Sequence, residues 1–334
     1  MARRLFLIST GAACVLLASL LPTVAAAQVF LASWGSYGSG DGQFMTGHGV
    51  AVGGSGEVYV SDGDNSRVQV FTSSGAYLRS WAVPVQPGHA LNIAVDANDN
   101  VYVAACRDKW IYRYTSTGAL VTQWGGAGSS PGQLGVIFSL AVDAAGDIYV
   151  ADYENHRIQV FGPSGAYVRQ WGTQGTGDGQ FNNPDGIAVD LSGNVYVADN
   201  RNQRIQTFTN DGTYLTQWGM EGTGDGQFLD PVRLAVGPQA QVYVVDNRNS
   251  RVQVFTTDGA FVTKWGTYGS SPGQFRNPIG IAIDAIGDIY VADTYNSRIQ
   301  KFGLGPTAAL GKTWGAMKSR YRGERGAARS PKDR

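Results

Sequence analysis

Cysteine, histidine and long apolar segments are scarce in this chain. Its 334 residues contain two cysteines, Cys14 and Cys106, and three histidines. Beyond the N-terminal segment that holds Cys14, no stretch approaches the roughly 18 apolar residues that a membrane-spanning helix needs. The motifs Gly-x-Ser-x-Gly and His-Glu-x-x-His are also absent, which excludes the catalytic centres that they build. We therefore assign no catalytic residue from the sequence.

The N-terminal segment has the anatomy of a secretory signal peptide. Two arginines precede an apolar stretch from Leu5 to Leu21, and small residues follow up to Ala27. We predict a signal peptide over residues 1–27, cleavage near Ala27, and a secreted or periplasmic mature protein. Cys14 as a lipoprotein acceptor is less favoured, because Gly11 precedes it by three residues and the apolar run continues past it. The mature chain would then keep only Cys106 and could form no internal disulfide.

Tryptophan recurs with a period of 43 to 47 residues, which indicates a repeat architecture. The six copies are Trp34, Trp81, Trp124, Trp171, Trp218 and Trp265. One copy shows four β-rich runs separated by glycine turns, and the predicted strands are 186–190, 194–199, 204–208 and 214–218. Such units bury both sheet faces when they pack around an axis. The sequence predicts an all-β, six-bladed β-propeller with four antiparallel strands in each blade, in preference to a solenoid.

The sequences of the repeats strongly resemble those of the NHL-repeat family. Segments similar to GQF, NPDGIAVD and GNVYVAD recur from about residue 30 to 302, and five of the six copies carry Asp-x-x-Asn-x-Arg after the second strand. The second copy departs from this pattern and has Ala105, Asp108 and Trp110 instead. We assign the repeated Asp, Asn and Arg to turn structure, because their side chains can bond the local backbone. The resemblance implies that the face carrying these turns is the binding face.

The two ends of the repeat region complement each other. Phe30 to Trp34 matches a fourth strand, whereas residues 279–302 supply three strands without a good fourth. We predict that the N-terminal strand closes the last blade, in preference to a rival segment around Trp314. The predicted domain is a propeller over residues 28–304, followed by a basic tail over 305–334. That tail is expected to be a flexible solvated extension, with surface attachment as the alternative.

Charge argues against nucleic acid as a partner. Residues 28–311 contain 16 Lys and Arg against 24 Asp and Glu, a net charge of −8. Phosphate binding needs clustered basic residues, and only the tail has them. We expect no nucleic-acid partner, no transmembrane span in the mature chain, and a monomer.

The positions that differ among the repeats predict a site at the mouth of the central channel. The residue before each innermost strand, together with its neighbour, gives a mostly apolar ring with a few polar groups, which is typical of a small-ligand pocket. Channel lining with water between the side chains is the alternative. The predicted ligand-binding residues are His48, Leu91, Asn92, Phe138, Asp185, Val232, Arg233 and Ile279.

No cofactor is predicted, and the metal ligands are unknown. His48, His89 and His156 fall on one face and raise the alternative of zinc, while Asp185 raises that of calcium. The spacing of these histidines does not require their side chains to meet at one ion, and calcium needs six or more oxygen ligands.

The function predicted from these features is non-catalytic. We expect a binding or scaffold module that contacts an extracellular or periplasmic protein, peptide or glycan through its loop face. The candidate contact residues are the aromatic side chains Trp110, Tyr153, Tyr268 and Tyr295, although tyrosines there can also pack on adjacent loops. The alternative is a metal-dependent lyase or lactone hydrolase at the channel mouth.

Overall fold

The computed structural model describes residues 28–86 and 91–304, which form 24 strands and two 3₁₀ turns, Asn200–Asn202 and Thr294–Asn296. The strands are β1 (Gln28–Trp34), β2 (Gly47–Val52), β3 (Val58–Asp62), β4 (Arg67–Phe71), β5 (Tyr77–Ala82), β6 (Leu91–Val95), β7 (Val101–Ala105), β8 (Trp110–Tyr114), β9 (Leu120–Gly125), β10 (Ile137–Val142), β11 (Ile148–Asp152), β12 (Arg157–Phe161), β13 (Tyr167–Trp171), β14 (Pro184–Val189), β15 (Val195–Asp199), β16 (Arg204–Phe208), β17 (Tyr214–Trp218), β18 (Pro231–Val236), β19 (Gln241–Asp246), β20 (Arg251–Thr256), β21 (Phe261–Trp265), β22 (Pro278–Ile283), β23 (Ile289–Asp293) and β24 (Arg298–Leu304). No helix within these residues has the length and hydropathy to cross a membrane. The predicted signal peptide, His89 and the basic tail lie outside the described residues.

The strands form six sheets of four antiparallel strands, which confirms the predicted six-bladed propeller. Blades 1 to 5 are β2–β5, β6–β9, β10–β13, β14–β17 and β18–β21, and blade 6 is β22–β24 with β1. Strand β1 pairs with β24 from Gln28 opposite Leu304 to Trp34 opposite Ile299. The prediction that the N-terminal strand closes the last blade is therefore correct.

The recurring tryptophan joins each blade to the next. Trp34, on the outer strand of blade 6, lies with its ring centroid 6.2 Å from Tyr290 of its own blade and 6.0 Å from Phe71 of blade 1. Its indole also covers Gly75 in the outer turn of blade 1, where φ is +90° and an added Cβ would lie 2.6 Å from the ring. Glycine is needed there because other residues rarely adopt this φ and because the ring leaves no space. The same arrangement recurs along the chain and explains the tryptophan period.

The repeated Asp, Asn and Arg side chains form hydrogen bonds within the protein. In blade 4, Asp199 Oδ2 accepts from Arg204 Nε at 2.8 Å and from Asn202 Nδ2 at 2.8 Å, while its Oδ1 accepts from the amide of Asn182 at 2.7 Å. Arg204 Nη2 then donates to two carbonyls of the preceding loop. Asp199 is fully buried, so each of these bonds compensates for lost hydration. The hydrogen bonds confirm the structural interpretation of this motif.

Candidate functional site

Five of the six predicted channel positions sit on β-bulges. In blades 1, 3, 4, 5 and 6 the pairing between the innermost strand and the next shifts register at His48, Phe138, Asp185, Val232 and Ile279. A bulge leaves one residue unpaired and re-aims its side chain. The predicted strand 186–190 in fact begins at Pro184, because the pairing continues past the bulge. Blade 2 has no such shift, since Leu91 pairs directly with Ala105.

The bulged residues meet in one pocket at the mouth of the channel. The pocket has a volume of about 170 Å³. Its lining includes all five bulged side chains, as well as Arg233, Cys106, Asp230, Asn247 and Asn277. The structure thus brings together six of the eight channel residues predicted from the sequence. Ligand binding at this pocket stays a prediction.

Asn92 does not face that pocket. It is buried, and its Oδ1 accepts from the Leu140 amide of blade 3 at 3.4 Å. Ser139 does the same one blade later by accepting from Ile187 at 3.2 Å. Small residues are needed at this position because neighbouring inner strands approach closely: a Cβ at Gly186 would lie 2.3 Å from the Val232 carbonyl.

Arg233 is the exception in that series, and its side chain crosses the channel mouth instead. Its Nη1 pairs with Asp185 of blade 4, and its Nη2 donates to the Phe138 carbonyl of blade 3. The Arg233 side chain is 9% exposed and that of Asp185 is 13% exposed. Arg233 Nε, by contrast, is buried and has no partner among the described residues. One guanidinium thereby links three blades and still holds an unused donor.

Burial shifts the acid–base behaviour of this pocket. Burial raises the pKa of Asp185 to about 6, although the nearby Arg233 charge works against the rise. Burial, with a contribution from Arg233, lowers the pKa of His48 to about 4. His48 Nδ1 is also buried without a hydrogen-bond partner in the described residues. At neutral pH the pocket therefore contains a neutral imidazole beside an ion pair.

Cys106 is part of the pocket lining and is an inert thiol. It is 1% exposed, and burial raises the pKa of its thiol to about 12. Since the thiolate is the reactive form of cysteine, this side chain serves as packing at neutral pH.

The pocket does not fit a divalent metal. Among the described residues, no three His, Cys, Asp or Glu side chains are placed to hold one ion. The carboxylate of Asp185 is already paired with Arg233, whose positive charge would repel a cation at that point. His156 is engaged elsewhere, because its Nδ1 accepts from the Asn183 amide at 3.0 Å. We assign no metal-dependent step to these residues.

Two of the predicted contact aromatics on the loop face are partly buried. Trp110 packs against the core shared by blades 1 and 2. Tyr153 lies edge-on to Phe138 with the ring centroids 4.8 Å apart, and its side chain raises the pKa of the Arg201 guanidinium. Tyr153 therefore belongs to the surroundings of the channel mouth rather than to an isolated loop.

The other two predicted aromatics, Tyr268 and Tyr295, line one groove on the loop face, which we call the blade 5–6 groove. They are 70% and 66% exposed. The groove, of about 400 Å³, also contains Arg248 and Arg276, with Asn247, Ser250 and Asn277 completing its lining. Neither arginine was predicted from the sequence. Arg276 carried a signal, because other repeats have Met45, Gly135, Asn182 and Leu229 at its place. Arg248 did not stand out, because Arg107 and Arg201 occupy the same place in blades 2 and 4.

A profile of the NHL repeat matches residues 48–71, 139–161, 181–208, 228–255 and 275–302. The chain belongs to the NHL-repeat family. The matched segments contain all five Asp-x-x-Asn-x-Arg turns, whereas blade 2 of this NHL propeller, with Trp110 in place of the arginine, is not matched. No curated protein sequence matches the chain.

Solved structures share the fold of this NHL propeller at low sequence identity. A protein of unknown function from Bacteroides thetaiotaomicron is 21% identical, with a TM-score of 0.65 and coverage of 84% of this chain and 76% of that chain. A virginiamycin B lyase from Staphylococcus aureus is 16% identical, with a TM-score of 0.57 and coverage of 78% and 95%. A gluconolactonase from Xanthomonas campestris is 17% identical, with a TM-score of 0.58 and coverage of 78% and 86%. These similarities establish the fold alone.

Proposed function

We propose that this NHL propeller is a non-catalytic binding module that acts outside the cytoplasm and holds a protein, peptide or glycan on its loop face. The observation that carries the proposal is the blade 5–6 groove, where Tyr268 and Tyr295 are both about two-thirds exposed. The motif residues that recur in every typical blade are engaged internally. No other described repeat has an arginine at the place of Arg276, and Tyr268 recurs only as Tyr37, so the shared requirements of the fold do not account for this groove.

Rigid support favours this role. The groove lies on loops that are anchored by the buried Asp-Asn-Arg network of each blade, such as Asp246, Asn249 and Arg251 in blade 5. Binding to a rigid surface loses little conformational entropy. Tyrosine and arginine are also among the side chains most enriched at the energetic centres of interfaces.

The second candidate is small-molecule chemistry at the channel mouth, and the pocket around His48 and Arg233 favours it. Lyases and a gluconolactonase share the fold. A metal-dependent form of this activity is not supported, because the donor side chains do not converge. The binding module therefore stands first.

The test is capture of partners from the culture medium and envelope fraction of the source organism by immobilised protein. We expect a retained component that is lost with the double variant Tyr268→Ala/Tyr295→Ala. Tyr37→Ala is the matched control, because Tyr37 occupies the same repeat position as Tyr268 and is 68% exposed, yet lies outside the groove. Equal retention by the wild type and the double variant would refute the proposal.

A further inference from the structure

The blade 5–6 groove is positively charged on an acidic propeller. Its lining contains Arg248 and Arg276 and no carboxylate, whereas residues 28–311 carry a net charge of −8. The Arg248 side chain is 75% exposed, and its Nε lies 3.7 Å from Asp230 Oδ2. An exposed ion pair of this length contributes little. The guanidinium of Arg248 is therefore available to an incoming anion.

Arg276 and Tyr268 are held together. The Arg276 guanidinium carbon lies 5.8 Å from the centroid of the Tyr268 ring, a cation–π distance. Because a guanidinium presents its donors in a planar fork, it recognises a carboxylate with two parallel hydrogen bonds. The groove thus combines aromatic faces with two such forks.

The uncharged part of the lining indicates a hydroxylated ligand. No aliphatic side chain lines the groove, so it offers no pocket for the apolar anchors of a peptide. Its neutral members carry amide or hydroxyl groups, and Asn277 uses its Oδ1 to accept from Asn247 at 3.0 Å, which leaves its NH₂ group for a ligand. The CH face of a sugar ring can pack on Tyr268 or Tyr295 while its hydroxyls bond to these groups.

The combination is not a requirement of the fold. The position of Tyr268 is repeated with the same backbone bridge at Tyr37, Ala127, Gln174 and Glu221. The position of Arg276, immediately after the bridged residue, is Met45, Gly135, Asn182 and Leu229 in those copies. Among the described repeats, tyrosine and arginine occupy these two positions together only at the junction of blades 5 and 6.

We propose that the blade 5–6 groove binds an acidic sugar, a uronate unit of an anionic glycan, with its ring against the two tyrosines and its carboxylate on Arg248 and Arg276. This inference rests on the proposed function and narrows its partner to one chemical class. The volume of about 400 Å³ lies within the range of small-ligand sites.

The experiment measures binding of short uronate oligomers to the protein that begins at residue 28 and keeps its basic tail. Trimers of galacturonate, glucuronate, mannuronate and guluronate are titrated by calorimetry, with the methyl ester of each as the uncharged control. We expect at least one trimer to bind and its ester to bind at least about tenfold more weakly, since a charged hydrogen-bonded pair is lost. Arg248→Gln, Arg276→Gln and Tyr268→Ala should each weaken binding about tenfold or more, while Tyr37→Ala leaves it within about twofold.

Three outcomes would overturn the acidic sugar as the ligand. One is that no trimer binds. Another is binding that the groove variants leave unchanged, which would assign it to the basic tail. The third is that hexaglutamate binds as tightly with the same dependence on the variants, which would favour an acidic peptide. If partner capture still requires Tyr268 and Tyr295 in any of these cases, the binding function stands and only its ligand class is wrong.

Discussion

His48 and Asp185 should oppose each other in the pH dependence of stability. Folding lowers the pKa of His48 from 6.5 to about 4, so the unfolded chain binds more protons in that window and stability rises with pH. Folding raises the pKa of Asp185 from 3.8 to about 6, so the folded chain binds more protons there and stability falls as pH rises. Each shift corresponds to about 3 kcal/mol. In the wild type the two contributions should nearly cancel.

Single substitutions of His48 and Asp185 should separate these two contributions to stability. Between pH 4 and 6.5, the free energy of unfolding of His48→Gln should fall by about 3 kcal/mol relative to the wild type, and that of Asp185→Asn should rise by about 3 kcal/mol. Urea unfolding followed by tryptophan fluorescence at several pH values measures both. Comparison with the wild type cancels the titration of other carboxylates. The double variant serves as the control and should follow the wild-type dependence on pH. Single variants that also follow it would refute the burial of these two groups.

Three further outcomes follow from the contacts described above. Arg204→Ala should destabilise the protein by about 3 to 5 kcal/mol because it leaves a buried carboxylate uncompensated, whereas the exposed Arg201→Ala should change stability by less than about 0.5 kcal/mol; equal melting temperatures would contradict this. Gly75→Ala should cost more than Gly56→Ala, since both positions have positive φ but only Gly75 lies under an indole; equal unfolding midpoints would show that the ring contact is unimportant. Elemental mass spectrometry of protein purified without a histidine tag should find zinc and calcium well below one equivalent, and a stoichiometric metal lost in His48→Ala would restore the metal-dependent enzyme.

The blade architecture could be predicted because it depends on local patterns. Strand alternation and turn glycines can be recognised within one repeat, and the tryptophan period marks the succession of repeats. Closure by Phe30 to Trp34 follows from counting strands. The channel ring could also be predicted, since aligned repeats place equivalent residues around one axis. The bulge at Asp185 could not, because it shows itself only in the pairing with the neighbouring strand.

Contacts between repeats were the part that sequence alone left open. In the sequence, Arg233 is one polar member of a ring of residues. Its side chain contacts three blades because the inner strands approach so closely that it has no room between them. Tyr268 and Tyr295 stand 27 residues apart in sequence, and the bond from Asn296 to the Gly269 carbonyl brings their neighbourhoods together within one repeat. Arg248 reaches the groove from blade 5. Its approach depends on the angle between sheets, which no single repeat encodes.

Closure by β1 also bears on how the protein folds. Every other strand pair joins neighbours in sequence, whereas β1 with β24 joins the two ends of the described chain. Pairings of high sequence separation pay their loop-closure entropy before they gain contacts, so they form late. Strand β1, which precedes the other strands of the propeller in the chain, would then be the last to dock. Until that moment β24 presents an open edge, so the seam of blade 6 is where aggregation or exchange of strands between molecules would begin.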